Sequence, residues 1–302
     1  MENLLKRLER PTKKIDAVID TDAYNEIDDQ FAICYMLKSV DKINTVAIYA
    51  APFSNERADT PKEGVEKSYD EILKLLDLMD MQNMKENVYM GSQTYLPDEK
   101  TPVISDAAKH LVSLAQNYSA DNPLYVVAIG AITNIASAIL INPEIINNIV
   151  VIWLGGHSLT WGNSNEFNMM QDVAGARILF GCKVPLVMYP CNGVVSEFRL
   201  SEPELTYWLK GKNKVCDYLV ENTITEANTY AKGKPWSRVI WDVTAVSWLT
   251  GDKFSEERIV HSPIPEYDHR YAFSEDRHFI KYVYSINRDA LVEDLFDKLI
   301  AE

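Results

Sequence analysis

The chain has 302 residues, 47% of them hydrophobic, and a formal net charge of −14 at pH 7. This length and apolar content are compatible with one large α/β domain or two smaller ones. Because no basic run offsets the negative charge, the composition argues against nucleic acid or an anionic membrane as the main partner.

Residues 1–14 (MENLLKRLERPTKK) are amphipathic and charged, without the apolar core that a signal peptide needs. No run of about eighteen apolar residues follows, so we expect no membrane span. The cysteines lack paired metal-ligand spacing, which predicts buried free thiols at Cys34, Cys182, Cys191 and Cys216. We therefore expect a soluble, cytoplasmic protein.

The first predicted strand and helix flank a cluster of acidic residues. Residues 17–19 are typical of a buried parallel strand, and residues 30–37 are typical of the helix that follows. Four aspartates lie between them, at Asp20, Asp22, Asp28 and Asp29. Carboxylates this close raise one another's pKa unless a cation lies among their oxygens, so the segment predicts a site for a hard divalent metal. Its position between strand and helix predicts that the site lies at the carboxyl edge of a sheet.

Apolar runs alternate with helical segments through much of the remaining chain. Further strands are predicted at residues 43–51, 124–129, 149–154 and 184–189, and helices at residues 61–79, 106–116, 132–141 and 173–180. This alternation predicts an α/β fold with an open, doubly wound, mostly parallel sheet, helices on both faces, and the site at the carboxyl ends of the strands. We expect a single domain over residues 1–302, in which a mainly helical segment, residues 201–252, caps the site.

Small and polar residues follow the predicted strands at the same edge. Asn55 follows the second strand and Gly130 the third, while His157 and residues 163–168 follow the fourth. Amides and carboxylates that donate and accept in several directions suit a polyhydroxylated ligand such as a sugar. A phosphate ligand is disfavoured, because neither GxGxxG nor GxxxxGK[ST] occurs.

Five segments of the chain resemble motifs of the nucleoside hydrolase family of the inosine-uridine preferring type, and they occur in the same order as in that family. They are the acidic segment 20–29, AITNIA at residues 131–136, WLGG at 153–156, NEFN at 165–168 and WDV at 241–243. The resemblance extends from Ile15 to about Leu249. It implies an open α/β fold and a calcium-dependent N-ribohydrolase, which cleaves the bond between ribose and base in a ribonucleoside. It also makes a homodimer or homotetramer the expected assembly.

The resemblance implies roles for individual residues as well. Ca²⁺ would be bound by the side chains of Asp22, Asp29 and Asp242 and by the carbonyl oxygen of Thr133. Asp28 would be the general base that takes a proton from the attacking water. The substrate-binding residues that it implies are Asn55, Asn163, Asn165, Glu166, Asn168 and Trp241.

The loop between the first two metal-binding acids departs from the family pattern. The family usually has Pro-Gly and one further residue there, whereas here residues 23–27 intervene, which makes the loop longer by two. The turn must therefore form without the glycine. Asn25 or Glu26 either enters the site or faces solvent, and for Glu26 we expect solvent.

Trp241 occupies the position at which many family members carry a His, the acid that protonates the leaving base. An aromatic ring stacked on a purine could instead raise the basicity of the departing ring. The candidates for such base contacts are Trp161, Tyr230, Trp236 and Trp241. Each of them could equally be a packing residue. His157 is an alternative acid, although a lone His is more often a satisfied loop residue.

Two other functions are compatible with the sequence. A phosphoryl-transfer enzyme would use Asp20 and Asp22 as nucleophile and acid with magnesium, but the downstream Lys and late acidic pair that it needs are not evident. A non-catalytic nucleoside or ribose sensor would keep metal and sugar binding without turnover. Asp28 favours catalysis, because a binding protein does not need a base at that position.

Overall fold

A computed structural model describes residues 2–301 of the chain. Its strands are β1 (Ile15–Thr21), β2 (Ile43–Ala50), β3 (Val88–Met90), β4 (Leu124–Ala128), β5 (Ile149–Leu154), β6 (Leu186–Tyr189), β7 (Arg199–Ser201), β8 (Ser237–Val239), β9 (Ser255–His261), β10 (Ile264–Pro265), β11 (Tyr271–Ala272) and β12 (Phe279–Ile286). Eight of them form one sheet in the order β3-β2-β1-β4-β5-β6-β12-β9. The remaining four form two small ribbons, β7 with β8 and β10 with β11.

The eight-stranded sheet is parallel except at one edge. Parallel pairing extends from β3 through β1 and β4 to β12. The edge strand β9 runs antiparallel to β12. The open, mostly parallel sheet that the sequence predicts is therefore confirmed, and the four later predicted strands correspond to β2, β4, β5 and β6.

The helices are α1 (Glu2–Arg7), α2 (Asp28–Lys38), α3 (Pro61–Leu78), α4 (Asp106–Ala115), α5 (Thr133–Ile141), α6 (Phe167–Gln171), α7 (Val173–Gly181), α8 (Glu202–Trp208), α9 (Lys214–Ala231), α10 (Val243–Thr250) and α11 (Arg288–Ile300). Several helices begin at a capping residue. At α3, for example, the Thr60 hydroxyl accepts a hydrogen bond from the Glu63 N–H at 3.2 Å, and Pro61 occupies the first turn.

Alternating residues of the central strands face two separate cores. In β1, Ala17 and Ile19 pack with residues of α2, α3 and α10, whereas Val18 packs with residues of α4, α5 and α7. In β5, Ile152 belongs to the same core as Ala17, and Trp153 belongs to the same core as Val18. Helices thus cover both faces of the sheet, as predicted, and this explains why the central strands are apolar on both sides.

The strand order reverses between β1 and β4, which lie side by side. In open α/β sheets, the carboxyl ends of two such strands border the ligand crevice. Here β1 leads into Asp22 and β4 leads towards Gly130. A Cβ on Gly130 would lie 2.9 Å from Asp22 Oδ1, so glycine is what lets these two strand ends approach.

Residues 201–252 contain α8, α9 and α10 together with the short strand β8. Helix α9 lies against the sheet-covering helices: Asn222 Nδ2 donates to Gln30 Oε1 of α2 at 2.6 Å, and the Tyr218 hydroxyl donates to Glu71 of α3. The single-domain organisation and the capping role of this segment stay predictions.

The cysteines are free thiols, and burial is confirmed for Cys34, Cys191 and Cys216, whereas Cys182 is only half-buried. Burial raises the pKa of the Cys191 thiol well above its ordinary value, so the thiol stays protonated. Within residues 2–301, no helix combines the length and the apolar character that crossing a membrane requires.

Candidate active site

Three buried carboxylates converge at the carboxyl edge of the sheet. Asp28 and Asp29 are the first two residues of α2, and Asp242 directly precedes α10. One oxygen of each lies within 4.8 Å of the others. None of the three residues is more than 4% exposed. The fold therefore joins an acidic pair from the start of the chain to an acid from its last third.

Asp22 adds a fourth carboxylate to this region. It is fully buried, and neither of its oxygens has a hydrogen-bond partner among residues 2–301. By contrast, Asp29 Oδ1 accepts a hydrogen bond from the Thr21 hydroxyl at 2.5 Å. A buried carboxylate without a partner is costly unless a cation compensates for its lost hydration.

Burial and mutual repulsion favour the protonated forms of these acids. Burial, followed by the charge of Asp29, raises the pKa of Asp28 to about 7. Burial also raises the pKa of Asp29 to about 7, although the Thr21 hydroxyl opposes the shift. For Asp22 and Asp242 the pKa rises well above its ordinary value, again mainly through burial. An all-oxygen donor set that repels itself in this way fits a hard divalent cation.

These shifts predict how the cation-free protein responds to pH. The pKa values of Asp28 and Asp29 are about 7 in the folded state, against an ordinary value of 3.8. The folded state therefore binds more protons between these values, and the free energy of unfolding falls as the pH rises through that range. Without a cation, we expect the Tm to decrease as the pH rises from about 5 to about 7.5. Added Ca²⁺ should remove most of that decrease. Thermal unfolding followed by circular dichroism measures both; an equal fall with Ca²⁺ would contradict a cation among these acids.

Thr133, the predicted carbonyl ligand, is buried at the start of α5. Its hydroxyl donates to Asp172 Oδ2 at 2.5 Å, and Asp172 Oδ1 accepts the N–H of Gly175 at 2.7 Å. Asp172 thereby ties the start of α5 to the start of α7. Sequence analysis missed this residue, and the only local signal for it is its place as the N-terminal cap of α7.

Asp20 has a structural position behind the site. Its Oδ1 accepts a hydrogen bond from Asn134 Nδ2 at 2.8 Å, and Asn134 Oδ1 accepts one from the Ser92 N–H at 2.7 Å. Asp20 does not line the cavity described next. The network ties the end of β1 to the first turn of α5, next to Thr133.

A cavity of about 250 Å³ brings most of the predicted site residues together. Those that line it are Asp28, Asp29, His157, Asn165, Glu166, Asn168, Trp241 and Asp242. Asn25, Glu26, Cys191 and Asn192 line it as well. Its polar wall is made mainly of carboxylates and amides, and one half-buried indole contributes a flat apolar surface. These are the groups that suit a ligand with several hydroxyls and an aromatic ring.

Glu166 and Asn168 are held rigidly in the wall of the cavity. Glu166 accepts hydrogen bonds from the N–H groups of Asn168 at 2.9 Å and Gly156 at 2.7 Å. Gly156 has φ +75°, a left-handed conformation that favours glycine. Asn168 Nδ2 donates to the carbonyl oxygens of Ile129 at 3.1 Å and Leu154 at 3.0 Å. Both side chains are therefore positioned before any ligand binds.

Seven predicted residues do not line the cavity. Two are the predicted metal ligands Asp22 and Thr133 described above, and the other five are Asn55, Trp161, Asn163, Tyr230 and Trp236. Asn55 Nδ2 donates to Asn25 Oδ1 at 2.7 Å, so it reaches the cavity through its neighbour. Asn163 is exposed, and its side chain accepts the Asn165 N–H at 3.0 Å. The three aromatic residues are exposed or half-buried. Their roles towards a substrate stay predictions.

His157 lines the cavity, but its surroundings do not favour a charged ring. Burial lowers the pKa of His157, so the imidazole is mostly neutral at pH 7. Its Nδ1 accepts the N–H of Asn192 at 3.3 Å. The proposed role of this ring as a proton donor stays a prediction.

Sequence analysis missed a network of ion pairs beside the cavity. Glu26, expected to face solvent, has a side chain that is 41% exposed, but it also lines the cavity, and its Oε2 accepts a hydrogen bond from Arg238. Arg238 also pairs with Glu226 at 3.1 Å, and Glu226 pairs with Arg57 at 2.7 Å. Burial and the charge of Asp28 raise the pKa of Glu26 to about 7, while Arg238 opposes that rise. The ion pair could not be predicted because the partner of Glu26 lies 212 positions away, beyond any local pattern.

The chain is similar to known proteins over most of its length. The inosine-uridine preferring nucleoside hydrolase family matches residues 17–272. Probable uridine nucleosidase 2 of Arabidopsis thaliana is 29% identical over 227 residues, which are 68% of this chain and 67% of the plant protein. The pyrimidine-specific ribonucleoside hydrolase RihB of Escherichia coli is 29% identical over 118 residues, and that match spans 37% of each chain.

Solved structures share the fold over nearly the whole chain. A plant nucleoside hydrolase, PpNRh1, has a TM-score of 0.75 at 18% identity, with 97% of this chain and 100% of that chain covered. A purine-preferring ribonucleoside hydrolase from Gardnerella vaginalis has a TM-score of 0.76 at 18% identity, with coverages of 94% and 98%. At such identities the likeness concerns the fold. The family match itself extends over most of the sequence, and on that ground the chain belongs to the inosine-uridine preferring nucleoside hydrolase family.

Proposed function

We propose that this chain is a calcium-dependent N-ribohydrolase that cleaves ribonucleosides to ribose and free base. One observation carries the proposal: Asp28, Asp29 and Asp242 converge, buried, in the same cavity as Glu166 and Asn168. In a member of this family, the combination supplies oxygen ligands for a cation, a base for water and groups for sugar hydroxyls. The relatives' names include both uridine and purine specificity, so they do not decide the base for this chain.

In this proposal, the side chains of Asp22, Asp29 and Asp242 and the carbonyl oxygen of Thr133 hold Ca²⁺. The unpartnered oxygens of Asp22 and the raised pKa of Asp29 support a cation at this place. Calcium takes six to eight oxygen ligands, so water and sugar hydroxyls can complete the set. When bound, the ion lowers the pKa of the attacking water and orients it.

Asp28 acts as the general base. It accepts a proton from water, whose oxygen forms a bond to the anomeric carbon while the bond from that carbon to the base nitrogen breaks. The electron pair of the broken bond leaves with the base, which takes up a proton from solvent, and Asp28 returns its proton to solvent. The positive charge that develops on the sugar is stabilised by the surrounding carboxylates. The 3% exposure of Asp28 limits the competition from bulk water.

Glu166 and Asn168 bind ribose hydroxyls in this account. Their hydrogen bonds to the backbone fix them, so little conformational freedom is lost when a sugar binds. Asn165, at the exposed end of the same segment, is the third sugar contact. Asn55 and Asn163 act indirectly, since each contacts a cavity residue rather than the cavity itself.

Trp241 contacts the base, because it lines the cavity next to Asp242. We expect Trp241→Ala to lower kcat/KM for purine nucleosides by about tenfold to a hundredfold, the usual cost of losing one base-stacking side chain. Steady-state hydrolysis of inosine measures the effect. The control is Trp161→Ala, which removes an indole that lies outside the cavity and is 48% exposed, with an expected loss of less than about threefold. Equal losses of kcat/KM in the two variants would show that Trp241 does not contact the base.

The cytoplasmic location and the homodimeric or homotetrameric assembly stay predictions of the sequence. Light scattering coupled to size-exclusion chromatography gives the subunit number of the purified protein. A chain of 34.4 kDa that elutes as a monomer at micromolar concentration would contradict the expected assembly.

A further inference from the structure

The loop between Asp22 and Asp28 places a carboxylate at the mouth of the cavity. Glu26 lines the cavity together with Asp28 and Trp241, and its side chain is 41% exposed. Glu166, by contrast, is 6% exposed. With ribose against the buried end, as the proposed function has it, the base extends towards the exposed end. Glu26 and Trp241 are then its neighbours.

Arg238 holds this carboxylate from outside the cavity. Its Nη2 donates to Glu26 Oε2 and pairs with Glu226 Oε1 at 3.1 Å, and its side chain is 19% exposed. Arg238 does not line the cavity. Since the loop that carries Glu26 is thus tied to β8 and α9, the Glu26 side chain loses little freedom when it binds a ligand.

One oxygen of Glu26 remains available to a ligand. Arg238 contacts Oε2, whereas Oε1 accepts no hydrogen bond within the described range of the chain. In its ionised form, which the charge of Arg238 favours, Glu26 only accepts hydrogen bonds. An ionised carboxylate binds N–H donors more strongly than a neutral acceptor does. The group that this position recognises is therefore a hydrogen-bond donor on the ligand, and with ribose at the buried end that donor is an N–H of the base.

We propose that Glu26, held by Arg238, is a specificity-determining residue that accepts a hydrogen bond from an N–H on the outer edge of the nucleobase. This inference rests on the proposed nucleoside hydrolysis. It defines the substrate class as ribonucleosides whose base carries a ring N–H or amino group away from the glycosidic bond. A base that presents a methyl group there displaces water from the carboxylate without replacing its hydrogen bond, and is rejected.

Two pairs of substrates test the inference: inosine with 1-methylinosine, and uridine with 3-methyluridine. In each pair the methyl group replaces the ring N–H. We expect the wild type to prefer the unmethylated member by at least about tenfold in kcat/KM. Glu26→Ala should lower kcat/KM for that member by about tenfold to a hundredfold and change it for the methylated member by less than about threefold. Glu26→Gln keeps an acceptor oxygen without the charge. Its kcat/KM for the unmethylated member should therefore lie between those of the wild type and Glu26→Ala.

Glu226→Gln is the matched control, because it removes the other carboxylate partner of Arg238 and does not line the cavity. This variant should change kcat/KM by the same factor for the methylated and the unmethylated member of a pair. An equal loss on both members in Glu26→Ala, or discrimination that persists in that variant, would overturn the inference. A wild-type protein that releases sugar from no riboside of a purine and pyrimidine panel would instead contradict the proposed function. The wild type alone therefore distinguishes failure of the proposed function from failure of this inference. Circular dichroism verifies that each variant is folded, and Glu26→Gln decides the outcome should the alanine variant fail to fold.

Discussion

Replacing Asp28 with asparagine is expected to lower kcat/KM for the preferred ribonucleoside by about 100-fold to 10,000-fold, the usual contribution of a general base. Asparagine has nearly the shape of aspartate but cannot take a proton from water. The fold should tolerate the change, since the pKa of about 7 already gives Asp28 a substantial neutral fraction in the cation-free protein. Release of reducing sugar under steady-state conditions measures the loss.

Asp20→Asn is the matched control for this experiment. It also removes a buried carboxylate near the end of β1, but Asp20 lies behind the cavity, and an asparagine oxygen can still accept the hydrogen bond from Asn134. We expect it to lower activity by less than about tenfold. A loss as large as that of Asp28→Asn would mean that activity reports the integrity of the acidic segment and not a base at Asp28.

Removal of the cation should have the second large effect. Chelation is expected to lower hydrolysis by at least about a hundredfold, because the attacking water then loses the ion that lowers its pKa. Added Ca²⁺ should restore the rate. The same treatment should lower Tm at neutral pH, since the four buried carboxylates then lack a compensating charge.

Calcium affinity, measured by calorimetry, separates the roles of the acids. Asp242→Asn should weaken Ca²⁺ binding by at least about tenfold, because it removes a proposed ligand. Asp28→Asn should leave that affinity within about threefold while it removes activity, although Asp28 lies within 4.8 Å of Asp29 and Asp242. Loss of calcium binding in Asp28→Asn would place this residue among the ligands and leave the reaction without its assigned base.

The central sheet could be predicted because its strands carry a strong local signal. Both faces of β1 and β5 are covered by helices, so these strands appear in the sequence as continuous apolar runs. A strand at the edge of the sheet does not have to be a continuous apolar run. The edge strand β9 contains Glu256, Glu257 and Arg258 and is partly exposed, so it resembles a surface loop in the sequence.

The acidic part of the site could be predicted for a related reason. Asp22, Asp28 and Asp29 are close in sequence, and a short family motif identifies Asp242. The contacts around them are long-range: Thr133 bonds to Asp172, 39 positions away, and Glu26 bonds to Arg238, 212 positions away. Such pairs have no periodicity or spacing that a single sequence displays. The longer loop after Asp22 likewise lacks a glycine or proline that would fix its turn, so the direction of Glu26 emerges only in the folded chain.

The central claim, hydrolysis of a ribonucleoside by a calcium-bound acidic site, is tested most directly with the purified protein and a panel of purine and pyrimidine ribosides. Reducing sugar and free base would be measured with calcium present and after chelation, for the wild type and for Asp28→Asn. We predict equal amounts of sugar and base from at least one riboside, with release that depends on both calcium and Asp28. No sugar from any riboside, despite intact calcium binding, would contradict the account and favour a protein that binds nucleosides without cleaving them.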